Sequence, residues 1–185
     1  MQGTEIRKIA PDELGEDFLD GFRRVQRITE LWVREETGYA LRPAQLLYEW
    51  SDEKRRWIPL WLKEQAERGG AVFGAFRDGK LVGFSSVDGT LAGESTKIAN
   101  LTMLFVDDRF KRRGIGTGLF RAACLEAKRI GADRLFVSAV PSAETVSFYF
   151  RMGCRDAETV PQEFVDTEED RYLELSLSGI PESAE

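Results

Sequence analysis

At 185 residues, 42% of them hydrophobic and 31% charged, the chain has the length and composition of one globular domain with a sizeable core. It contains no histidine, which removes Ser-His-Asp and Cys-His catalysis, argues against a zinc enzyme, and leaves acid–base work to Asp, Glu, Tyr, Lys, Cys or water. A net charge of −6 disfavours nucleic acid as the main partner and weakly favours a cationic one.

The chain opens on "TEIRKIA" (4 to 10), whose alternation predicts a short strand; its N-terminal stretch lacks the apolar run of a signal peptide. Pro11 and Asp12 then read as a helix start, and residues 13 to 70 as mainly helical in two or three pieces. Leu14, Phe18, Phe22, Val25, Ile28 and Trp32 recur at three-to-four residue steps, and Ser51 with Asp52 caps a last piece ending at Gly69-Gly70. Next, "AVFGAF" and "KLVGFSSV" flank Arg77-Asp78-Gly79, an Asp-Gly hairpin signal. A polar loop (88 to 95) leads to the strand "KIANLTMLFV". A helix from about 115 to 130 follows, with Ile115, Leu119, Ala123, Ala127 and Ile130 as its inner face. After Gly131 come the strand "DRLFVSAV", the helix "SAETVSFYFRMG" capped by Ser142, an acidic loop and the strand "RYLELSL". This order predicts an α/β fold of the α+β kind, with a mixed sheet and helices on both faces. Cys124 and Cys154 sit in apolar runs and read as reduced, buried residues of a cytoplasmic chain, and no segment has the apolar length of a membrane helix.

The segment "LFVDDRFKRRGIGTGLF" carries the chemistry. A strand running into glycines and then a helix leaves free backbone N–H groups at the helix N-terminus, where an anion can bind. Gly114 and Gly116 remove the Cβ that would hold a phosphate away, and Arg109, Lys111, Arg112 and Arg113 add positive charge. The segment thus points to a phosphorylated ligand, against the alternative of a solvated basic turn. A Walker loop is absent. A dinucleotide fingerprint fails because Leu119 stands where its third glycine belongs, and because no acidic residue ends the next strand.

"KRRGIG" resembles the Gln/Arg-x-x-Gly-x-Gly/Ala signature of the GNAT superfamily of acyl-CoA-dependent N-acetyltransferases, with Lys111 in the first position. "SAETVSFYFRMGC" is similar to that family's Asn-x-x-Ala-x-x-Phe-Tyr-x-x-x-Gly-Phe segment through Phe148, Tyr149 and Gly153; Ser142, Thr145 and Cys154 depart from it. The resemblance covers residues 70 to 178 and implies a GNAT-like, mostly antiparallel central sheet. It implies one N-acetyltransferase domain over 1–185, with a helical acceptor-side segment at 11–70 and an acetyl-CoA-binding core at 71–178. The backbone of Leu104, Phe105 and Val106 would pair with the pantetheine arm, and the amides of Arg112, Arg113, Gly114, Ile115, Gly116 and Thr117, beside Lys111, would hold the pyrophosphate. Ser142 would touch the arm or serve only as a helix cap.

The implied reaction is direct attack of an amine on acetyl-CoA as co-substrate, with no metal. A backbone N–H near Val106 would face the oxyanion, and Tyr149 would protonate the departing thiolate unless it is a packing residue like Phe148. Asn100 falls where histone-acetylating relatives carry a glutamate; it cannot take a proton but can orient a water or the amine. Glu94 and Asp88 are the nearest carboxylates, and a water chain is the expected base. Trp32, Trp50, Trp57 and Trp61 anchor a helical layer or line an apolar pocket near Tyr39 or Tyr48. Glu35, Glu36 and Glu49, or Glu163, Asp166, Glu168, Glu169 and Asp170, offer a cationic amine a landing site. The expected acceptor is a primary amine of a small molecule or of a protein, and a homodimer is in keeping with the family. The alternative is a non-catalytic acyl-CoA-binding or regulatory module.

Overall fold

The computed structural model describes residues 3–181. Strand β1 (Glu5–Ile9) is followed by a single 3₁₀ turn, Pro11–Glu13, and not by the helix its Pro-Asp start predicts. The larger correction lies beyond it. Residues expected to be helical form a long hairpin of β2 (Val25–Glu35) and β3 (Gly38–Glu49), a two-stranded antiparallel sheet of its own. The three-to-four residue spacing of Leu14 to Trp32 is real, but Val25, Ile28, Thr29, Trp32 and Val33 are β-branched or aromatic and fit a pleated surface better than a helix. Leu14, Leu19 and Phe22 are buried from an irregular, turn-rich segment. Pro43 sits at the point where the β2–β3 register slips, an irregularity that tolerates a missing N–H.

Helix α1 (Asp52–Glu67) begins as expected, with the Ser51 hydroxyl accepting from the Lys54 amide. Strands β4 (Ala71–Arg77) and β5 (Lys80–Val87) join through Asp78 and Gly79, both at positive φ (52° and 73°), as a type I′ turn requires. Then come β6 (Ile98–Val106), α2 (Ile115–Arg129), β7 (Arg134–Ala139), α3 (Ala143–Arg151), the two-residue β8 (Arg155–Asp156) and β9 (Arg171–Ser176).

Seven strands form one sheet in the order β1-β4-β5-β6-β7-β9-β8, antiparallel except for β6 and β7. That parallel pair holds over only three residues, Ile98–Asn100 against Arg134–Phe136. Beyond Asn100 the pairing of β6 with β5 slips, from Val87↔Leu101 to Ser86↔Met103, a bulge that bends β6 away from β7. The sheet therefore opens into a V, with Leu101 to Val106 on one arm and Val137 to Ala139 on the other.

Helices α2 and α3 cover one face. Leu119, Phe120, Ala123, Cys124 and Ala127 of α2 are buried there, largely with Leu135, Val137, Tyr149 and Leu173. A fully buried leucine such as Leu119 contributes about 1.5–3 kcal/mol. Helix α1 covers the other face, where Ile58 and Leu62 pack with Phe22, Trp50, Phe84, Met103 and Phe105. The β2–β3 hairpin crosses the open end of the V. The Trp32 amide donates to the Pro141 carbonyl at 2.7 Å, and the rings of Trp32, Tyr39 and Phe150 surround the Arg171 guanidinium, 4.1–5.0 Å from its central carbon.

Candidate active site

The V holds a cleft of about 570 Å³. Its mouth is framed by Asp107, fully buried just after β6, which ties three segments together. Asp107 accepts from the Arg23 amide and, with both oxygens, from the Arg109 guanidinium, which also reaches the Gly21 carbonyl at 2.7 Å. Burial alone would raise the Asp107 carboxyl, but the bonds from Arg109 and from the Arg23 and Arg109 amides outweigh it and hold it below the ordinary aspartate range. Arg109, the first of the four cations, is thus committed to the fold and does not wait for a ligand.

Helix α2 opens at Gly114, in the left-handed region at φ 79°, and its first turn holds no acidic residue. The Gly118 amide makes a helical bond to the Gly114 carbonyl, so the N–H groups of Ile115, Gly116 and Thr117 have no acceptor within the helix. Arg112 is held at φ 59°, a strained conformation for a residue with a side chain. The Lys111 ammonium lies 3.1 Å from the Val25 carbonyl and 3.2 Å from Asp108. The result is a bare, positive helix end with glycine backbone at the cleft wall, suited to an anion.

Strand β6 supplies the wall beside it. The Asp107 amide donates to the Val82 carbonyl of β5. By the alternation of an antiparallel ladder, the amides of Val106 and Leu104 point the other way, into the cleft. Across from them Tyr149 lines the cleft, its ring packed edge-on against Phe120 and Phe148. Burial, with a smaller contribution from Cys154, pushes its phenol well above the usual tyrosine range.

Among the residues expected at the site, Leu104, Phe105, Val106, Lys111, Arg112, Gly114, Ile115, Gly116, Thr117 and Tyr149 all line this cleft. Three do not. Asn100 lies at the closed end of the V, still paired with β7, its carbonyl accepting from the Asp88 amide. Arg113 lies over the ring of Phe110, which itself lines the cleft, 5.6 Å from its centre. Ser142 caps α3 by accepting from the Thr145 amide and is enclosed by Gln26, so it acts as a cap. None of the four tryptophans lines the cleft, nor do Tyr39, Tyr48, Glu94, Asp88 or the hairpin glutamates; Trp50 is core, and Trp57 stacks on Trp61 at the surface of α1. Asp166 and Asp170 of the acidic loop do line it. Sequence reasoning missed Arg24, Gln26, Ser138 and Glu144, which reach the cleft from the foot of the hairpin, from β7 and from α3. No local pattern marks them, because pairing distant in the chain brings them there.

Known proteins share this architecture. An uncharacterized N-acetyltransferase of Methanocaldococcus jannaschii is 30% identical over 159 residues, which span 84% of this chain and 62% of that longer protein. Among solved structures, a nourseothricin acetyltransferase superposes with a TM-score of 0.67 at 16% identity, covering 95% of this chain and 99% of the other. The PaiA N-acetyltransferase of Thermoplasma acidophilum, solved with coenzyme A, does so with a TM-score of 0.59 at 17% identity over 95% and 99%. The sequence profile of the Acetyltransferase (GNAT) family matches residues 25–154, from the hairpin through the split of the sheet to the end of α3. With its V-shaped sheet and glycine-opened helix in place, the chain belongs to the GNAT acetyltransferase family.

Proposed function

We propose that the protein is an acetyl-CoA-dependent N-acetyltransferase acting on a primary amine of a small molecule. The observation that carries this reading is the split between β6 and β7, with free helix-end amides at its mouth and a buried phenol inside. The diphosphate of acetyl-CoA would take the N–H groups of residues 112 to 117, and its pantetheine arm would lie along β6 as an extra strand. Gly116 fits that placement, since a Cβ built there already meets Phe148 at 3.4 Å.

In the reaction the acceptor ammonium first gives one proton to water. The neutral nitrogen bonds to the thioester carbonyl carbon, the carbon–sulfur bond breaks, the thiolate takes a proton from Tyr149, and the second proton lost by nitrogen as the amide forms restores Tyr149 through water. The Val106 or Leu104 amide stabilises the oxyanion, a contribution of about 3 kcal/mol for one ordered donor. A phenol raised by burial is a weaker acid than usual, but the thiolate forms in the same surroundings. A nascent thiolate there is a stronger base than in water, which keeps the transfer from Tyr149 feasible. Asn100, at the closed end, takes no part.

Thiol release from acetyl-CoA across a panel of amines tests the reading, together with thermal shifts in coenzyme A and NAD. Stabilisation by coenzyme A with amine-dependent thiol release is expected. Stabilisation without release from any amine would favour the non-catalytic acyl-CoA-binding alternative, and a shift with NAD alone would remove the family chemistry.

A further inference from the structure

On the face of the V turned toward α1, the cleft carries two opposed charged groups that acetyl-CoA chemistry does not use. The first is Asp170. Val137 and Ala139 face α2, so Ser138 between them faces the opposite side; its hydroxyl donates to Asp170 at 2.8 Å and accepts from the Asp166 amide at 3.1 Å. Asp170 is only 8% exposed, and both aspartates border the cleft without a cationic partner among the described residues. Burial raises both carboxyls, and each lies close enough to the other acids of its loop, Asp166 to Asp170 and Asp170 to Glu169, to be raised further.

The second group is Arg24, 9% exposed, whose guanidinium lies 5.0 Å from the centre of the Phe105 ring on the opposing arm. Its Nη2 donates to the Gln26 side-chain carbonyl at 2.6 Å, and Gln26 is itself fixed through the Ser142 and Thr145 hydroxyls. Its Nε is buried with no acceptor. Among the described residues no carboxylate pairs with Arg24; Glu144 and Asp108 act on it only through space. The similarly buried Arg171 also has one nitrogen, Nη1, without an acceptor, but its Nε and Nη2 are both bonded to the Asp156 carboxylate, the counter-ion that Arg24 lacks. An oriented, desolvated guanidinium without a counter-ion is costly unless a ligand supplies one.

We infer that the acceptor is an amine that also bears an anionic group such as a carboxylate, its ammonium received by Asp170 and Asp166 and its anion by Arg24. This rests on the N-acetyltransferase reading and narrows it. Arg24 packs over Phe105 of the β6 arm and Asp170 is bonded to Ser138 of the β7 arm, so a molecule bridging them spans the cleft between the two arms. Recognition of both ends would reject a plain diamine, which leaves Arg24 unpaired, as well as an acid lacking the amine.

The test uses the full chain with amino carboxylates whose amine and carboxylate are separated by one to five methylenes, each paired with its neutral carboxamide. At the preferred length the carboxylate is expected to exceed its carboxamide in kcat/KM by about tenfold or more. In Arg24→Met that ratio should fall towards one, while Arg24→Lys should keep part of it. Asp170→Asn should raise KM for both members of the pair. Equal use of acid and amide by the native protein, a ratio that survives Arg24→Met, or turnover of none of these amines would overturn the inference. Loss of coenzyme A affinity in Arg24→Met would also overturn it, by assigning the guanidinium to the coenzyme phosphates. Failure of the acetyltransferase reading itself would show separately, as native protein that does not bind acetyl-CoA in calorimetry.

Discussion

The two ends of the cleft are built on different principles. At the mouth, the turn from β6 into α2 offers backbone: free amides, glycines and a helix dipole, all within about ten residues of chain. On the face toward α1, the cleft offers side chains brought from residues 24, 26, 138, 166 and 170, which no local geometry unites. A backbone site suits a ligand that never changes, because its shape is fixed by chain conformation. A side-chain site can be altered one residue at a time, and that is where acceptor choice is expected to reside.

The most damaging test of this contrast is Gly116→Val. Branched carbons beyond a Cβ already in contact with Phe148 should fill the phosphate approach and weaken coenzyme A binding about a hundredfold or more, read by calorimetry. Unaltered affinity would mean the glycine turn is not the coenzyme's seat. Tyr149→Phe comes next, with kcat lowered about a hundredfold and coenzyme A affinity kept within about twofold. Matched losses in both would reduce Tyr149 to packing. Arg171→Leu should act on one side alone, raising acceptor KM by about fivefold through a loosened hairpin while coenzyme affinity holds, since Arg171 reaches the cleft only through its neighbours.

The smallest expected effect concerns Asp107, which joins the two ends. Its carboxyl is lowered in the folded state, so the stability it contributes is fully present above the unfolded value near pH 4 and is lost as pH falls through the lower folded value. The melting temperature should therefore decline below about pH 4, and Asp107→Asn should melt about 3 °C lower at neutral pH with a shallower acid decline. An unchanged acid profile in the variant would deny Asp107 that role.

What could be read from the chain follows the same division. The Asp78-Gly79 turn, the Ser51 and Ser142 caps and the inner face of α2 are local signals, and the structure carries all of them. Residues 25 to 49 were misleading because their apolar spacing satisfies a helix while their β-branched and aromatic residues satisfy a strand, and only docking against Pro141 and Arg171 decides the matter. Asp166 and Asp170 were visible as charge, yet their place in the cleft depends on β7 pairing with β9. Arg24 gave no signal at all, because an arginine's lack of a partner exists only in three dimensions.

Arg171 sits one peptide unit from Asp170, and its guanidinium is gripped by rings from the hairpin and from α3. Whatever lifts the hairpin rings off that guanidinium acts on the residue bonded to the acid next door. If Asp170 receives the amine as proposed, seating of the β-ribbon and alignment of that carboxylate are coupled through Arg171, and an acceptor large enough to displace the ribbon would slacken the group meant to hold it. On the proposed acceptor reading, Arg171 would set an upper limit on substrate bulk without touching the substrate.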